Sequence, residues 1–206
     1  MSDLPIYSES PLRTGLQFAA LDSLKGRNDS AVWKRADEVL AAFEGATGFS
    51  DARVSTQSIA PEALRAAHAA AFSGRPGSGQ LRQTPMQPLY RGQDCAPPEF
   101  IERSLQNLTI WANADSFRQI HPIERCALTI TRIADIWPFE YGNQTMALLF
   151  GNVALREAGL TPFFVLAEHR AEFERVIAQA MTIDMQPLVN AIFQTVRKEM
   201  EALARQ

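Results

Sequence analysis

A mostly α-helical domain with one small β element is the fold class this sequence predicts. Three observations lead there. Apolar residues recur at three- and four-residue spacing almost without a break from residue 99 onward. The stretch from 73 to 98 is crowded with glycine and proline, which no helix survives. The 206 residues are 46% hydrophobic and 21% charged, an ordinary balance with enough apolar material for one substantial core.

Each element follows in order. Residues 1–28 have poor periodicity and read as an arm packed on the body. A helix fits 30–44, with Val32, Ala36, Val39, Leu40 and Phe43 on one stripe, Asp29 as its cap and Gly45 as its stop. Ser58 and Pro61 open a second helix that runs through Phe72 and ends at Gly74. Residues 80–90 suit a short, irregular hairpin, and Pro85 and Pro88 confine it to an edge. Phe100, Ile101, Leu105 and Leu108 mark the next helix. Pro122 starts another, facing Ile123, Cys126, Ala127, Ile130 and Ile133 inward. A turn at 138–143 leads into a helix over about 144–158, lined by Met146, Leu149, Phe150 and Val153 and stopped by Gly159 and Pro162. Two further helices fit 167–181 and 184–203. Residues 1–57 are therefore expected to be an arm with an accessory helix, and 58–206 the core.

Charge and cysteine content exclude several functions. A net charge of −3, without blocks of like charge, leaves no footprint for nucleic acid or an anionic membrane. No apolar run is long enough to span a bilayer, and the first residues lack the pattern of a signal peptide. Cys95 and Cys126 have no metal-ligand spacing. No metal, no cofactor and a cytoplasmic setting are the expectations.

The densest chemical signal is Trp137-Pro-Phe-Glu-Tyr-Gly-Asn-Gln-Thr145. Its frame Pro138-Phe139-x-x-Gly142-Asn143 resembles the Fic/Doc signature H-x-F-x-[DE]-G-N-[GK]-R-x-x-R. The flanks are similar to that family too. Gly79-Gln-Leu-Arg82 precedes the hairpin, and Ala96-Pro-Pro-Glu99 opens a helix. His121-Pro122 starts the helix before the motif. Leu148-Leu-Phe-Gly-Asn152 through Gly159-Leu-Thr-Pro162 follows it. The resemblance covers roughly residues 58–200 and implies a Fic-like (Fido) helical bundle with a small β-hairpin flap.

The resemblance also implies a chemistry, which these residues do not match. Family members typically transfer a nucleotide monophosphate to a protein hydroxyl. Their motif His is the base and a carboxylate before Gly-Asn holds magnesium. The Asn and helix N-terminus make an anion hole, two arginines hold phosphates, and the flap registers the target by strand addition. Here Trp137 stands at the base position, and indole accepts no proton. Tyr141 replaces the magnesium carboxylate, and a neutral phenol is a poor ligand for a hard cation. Gln144 replaces a small residue, and Thr145 and Leu148 replace the arginines. The usual nucleotidyl transfer is not expected from such a degenerate motif. Leu40 replaces the Ser or Thr of the family's inhibitory helix motif, so Glu44-Gly45 reads as an ordinary helix end.

Two residues are candidates for proton transfer in a rebuilt site, Glu140 and Tyr141. Trp137, Asn143, Gln144 and Thr145 are candidates for binding a ligand there. The alternative is that Trp137 and Tyr141 plug a former nucleotide cleft, and the sequence leaves the two open. His121, His68 and His169 read as ordinary histidines, and Arg82, Arg91 and Arg132 as solvated arginines rather than a substitute anion clamp.

Three readings follow. The first, slightly favoured, is an atypical enzyme acting on a small-molecule or carrier-bound substrate. The second is a pseudoenzyme that binds a partner protein at its flap. The third is a nucleotide-dependent transferase with a relocated phosphate clamp. Homo-oligomerisation stays open.

Overall fold

The computed structural model describes residues 59–86, 94–182 and 184–205. The arm and the 30–44 helix lie outside the described residues, as do 87–90 of the hairpin. Residues 80–86 form no strand, so the fold among the described residues is helical.

Among the described residues seven α-helices follow one another: α1 Pro61–Ala71, α2 Ile101–Ala112, α3 Asp115–Arg118, α4 Pro122–Ile136, α5 Asn143–Glu157, α6 Arg170–Thr182 and α7 Gln186–Ala204. Proline occupies the first turn of α1, α4 and α7, where its missing N–H has no intrahelical partner to lose. The His121 ring caps α4 by accepting the Ile123 N–H on Nδ1 at 3.2 Å. That makes His121 an N-cap, a use the sequence reading did not assign it.

Helix α5 is the axis of the molecule. Every residue from Asn143 to Leu155 is buried, the polar Asn143, Gln144, Thr145 and Asn152 included. Its most extensive contact is with α4. Gly151 sets the distance: a Cβ there would lie 2.6 Å from Ile130 Cγ1. Helices α6 and α7 pack on each other and on α4, burying Phe173, Val176, Ile177, Leu188, Val189 and Ile192.

The link after α5 is extended and held by two polar side chains. Asn152 donates to the Phe163 carbonyl and accepts its N–H, both at 2.7 Å, which pairs a buried stretch of backbone lacking regular structure. Thr161 Oγ1 donates to the Val196 carbonyl at 3.1 Å. The short α3 was not foreseen; its Phe117 ring packs on Trp111 at 4.2 Å. No helix among the described residues is long and apolar enough to cross a membrane.

Candidate functional site

The site is the loop between the C-terminus of α4 and the N-terminus of α5. Helix α4 ends at Trp137, which adopts φ 50° and ψ 62°. A bulky side chain at positive φ is a rare conformation that costs about 1–3 kcal/mol. Its N–H donates to the Ile133 carbonyl at 2.9 Å, and its side chain and carbonyl are held as well. The indole is buried in the hydrophobic core, 7% exposed. The carbonyl accepts Nε of Arg82 at 2.7 Å.

Arg82 is the most consequential departure from the sequence reading. Expected in solvent, its side chain is 1% exposed. Its guanidinium donates to the carbonyls of Trp137 and Thr84 at 2.7 and 2.8 Å, to that of Ile136 at 3.4 Å, and to that of Ala96. Its own N–H donates to the Pro138 carbonyl at 2.9 Å. Burial draws its pKa down, an effect that the nearby Cys95 and Glu140 oppose. A cation at the C-terminus of α4 also matches the negative end of the helix dipole.

The turn itself is stapled from within. Asn143 accepts the Phe139 N–H at 2.8 Å and donates to the Phe139 carbonyl at 2.7 Å, so its carboxamide faces the loop. Gly142 sits at φ 70°, and a Cβ there would lie 2.3 Å from two carbons of the Phe72 ring. The buried Phe139 ring stacks on His68 at 3.9 Å and 13°.

His68 joins three segments. Its Nδ1 accepts the Gly79 N–H at 2.9 Å, which assigns the ring proton to Nε2, and Nε2 donates to the Tyr141 carbonyl at 3.0 Å. Burial lowers its pKa, the bond to Tyr141 opposes this, and Arg75 adds to the lowering. The neutral ring is therefore the folded form.

The remaining loop residues divide between wall and rim. The Tyr141 hydroxyl donates to the Pro76 carbonyl at 2.8 Å, and the Arg75 guanidinium lies 4.2 Å above its ring. Glu140 is exposed, and its carboxylate accepts Thr84 Oγ1 at 2.9 Å. Gln144 turns toward α6, between Glu174 and Arg170, each at 3.4 Å. Thr145 is fully buried and its Oγ1 has no hydrogen-bond partner. Leu148 is fully buried one turn further on.

Residues 58–155 match the model of the Fic/DOC family. That segment belongs to the Fic/DOC family. Over 116 residues it is 30% identical to protein adenylyltransferase fic-1 of Caenorhabditis elegans, a match over 56% of this chain and 22% of that protein. It thus spans about a fifth of that relative's length. The solved structure of Fic-1 from C. elegans aligns at a TM-score of 0.66 with 21% identity, covering 91% of this chain and 56% of that one. The structure of IbpAFic2 covalently tethered to Cdc42 aligns at 0.57 with 16% identity, covering 93% and 71%.

On the Fic fold, the six candidate positions do not converge on one cavity. Trp137 and Asn143 point into the protein, Tyr141 ties to the 72–79 turn, Glu140 faces outward, and Gln144 faces α6. Two clefts of about 340 Å³ and one of about 440 Å³ among the described residues are lined by other residues. His68, Thr84, Arg170 and Glu174 contact the candidate positions and were not among the site residues read from sequence. Only His68 had left a signal. It shares the buried stripe of α1 with Leu64, Ala67 and Ala71. Of the other arginines, Arg132 lies 5.8 Å from the Trp111 ring, and Arg91 lies outside the described residues.

Proposed function

We propose that this chain is a Fic-fold binding protein that engages a partner protein and does not transfer nucleotides at its motif loop. One observation carries the reading: the side chains at the family's chemical positions are engaged in holding the loop. The Trp137 indole is buried in the core, the Asn143 carboxamide is bonded to Phe139, and the Tyr141 hydroxyl is bonded to Pro76. A group already bonded inside the protein needs those bonds broken before it acts on a ligand.

Protein as the partner class is supported by the relative tethered to Cdc42, which aligns over most of this chain. The partner would meet the segment around 80–96 that precedes α2, with residues 1–57 as an accessory region beside the 58–206 core. Two free cysteines, Cys95 and Cys126, fit a reducing, cytoplasmic setting.

A second reading, an atypical enzyme, draws on a different observation. The Glu140 carboxylate is exposed and oriented by Thr84, as a proton-transfer group at a rim would be. The test separates the binding protein from an enzyme that uses a nucleotide. Purified protein is heated with ATP or CTP and magnesium, and incubated with nucleotide labelled on the α-phosphate and a cell extract. A binding protein shows no shift in melting temperature and no label on any protein. A nucleotide-dependent shift, or label that is lost in Glu140→Gln, overturns it.

A further inference from the structure

A separate cleft lies at the other end of the α4–α5 pair. It encloses about 340 Å³ between the end of α2, the short α3, the first half of α4 and the last half of α5. Arg125 in its wall is roughly 18 Å along α4 from Trp137, at 1.5 Å per residue. The volume is at the lower end of small-molecule sites.

Its lining combines an apolar wall with unbalanced positive charge. Phe117 and Phe150 are 5% and 1% exposed and form the wall. The charged residues are Arg118, Arg125 and Glu157, two guanidiniums against one carboxylate. Arg125 is mostly buried, its side chain 14% exposed, and its contact with the half-exposed Glu157 is loose at 3.4 Å. Its Nε is buried with no hydrogen-bond partner. Arg118 reaches the Asn113 carboxamide at 3.5 Å, the limit of a hydrogen bond. Guanidiniums held only by such long contacts are suited to a carboxylate, which takes two parallel N–H bonds.

We propose that this cleft binds a small organic acid, a carboxylate on a compact apolar or aromatic body. Its carboxylate pairs with the Arg118 and Arg125 guanidiniums in the cleft wall, and its body rests on Phe117 and Phe150. A single negative charge completes the balance, whereas a phosphate dianion would place excess charge beside Glu157. The site is independent of the motif loop, so its presence or absence says nothing about the reading above.

The test is calorimetric titration of the full chain with 3-phenylpropionate, its neutral amide and inorganic phosphate. Expected are a saturable affinity in the region of about 1 mM for the carboxylate and binding at least roughly tenfold weaker for the amide and for phosphate. Arg118→Gln and Arg125→Gln each reduce carboxylate affinity to a similar degree. Arg118 is exposed, so its variant keeps the test valid if Arg125→Gln proves unstable. Equal binding of acid and amide, an Arg118→Gln protein that binds like the original, or no saturable binding overturns the proposal.

Discussion

A methyl group on Gly142 would come within 2.3 Å of two Phe72 ring carbons, at a residue whose φ of 70° already disfavours any side chain. Gly142→Ala is expected to lower stability by about 2–4 kcal/mol, measured by urea denaturation. Phe72→Leu in the same chain should recover part of the loss, because only the steric share depends on the ring. The same residue explains why the turn was legible in the sequence. Gly142, Asn143 and Phe139 each have one structural duty that few other residues meet. Trp137 and Tyr141 were not legible in the same way. An aromatic residue specifies bulk and one polar atom, and whether that bulk fills a core or lines a cavity depends on neighbours distant in sequence. Here those neighbours include Arg82 and Pro76.

At the scale of elements, α1 is fixed to the motif loop through the neutral His68 ring, and this makes its attachment pH-dependent. The unfolded chain titrates this His near its ordinary value of about 6.5, while the folded pKa lies below it. Above that value both states are neutral and stability is complete. As pH falls through it, the unfolded state takes up a proton that the folded state refuses, so stability declines until the folded pKa is passed. The urea midpoint is expected to fall as pH drops from about 6.5, and His68→Gln should abolish that step. Glu124 and Asp135 have pKa values raised by burial and act in the opposite sense. They favour the folded state at low pH, and that contribution is lost as pH rises through their folded values. A pH dependence below about 6.5 that is identical in the original chain and His68→Gln would show that the folded ring takes up its proton as readily as the unfolded one. Periodicity located α1, α2, α4, α5, α6 and α7 close to their observed bounds, since each carries proline, glycine or a clear stripe. It did not find α3, which has a single turn and one buried anchor, Phe117.

At the scale of the whole molecule, α5 is enclosed on all sides, and the segments around it are joined by few but specific polar contacts. Asn152 binds the extended link, His68 binds α1, and Arg82 binds the strip before α2 to the end of α4. The sequence order of helices was enough to identify the architecture, because the family frame survives at Phe139, Gly142 and Asn143. Arg82 was misjudged as solvated because nothing in its local pattern reports on carbonyls 54 and 55 residues away. That arginine has a further consequence. Its guanidinium is bonded to backbone carbonyls, and the protein therefore contains a socket shaped for a guanidinium ion. Arg82→Ala should lose about 3–5 kcal/mol, since several buried carbonyls would be left unpaired. Free guanidinium should then refill the socket and raise the melting temperature of that variant at low millimolar concentration, while the unmodified chain responds only with the usual decline. A common denaturant would act there as a specific ligand, and the two-signed melting curve would report how well the fold remembers a side chain it has lost.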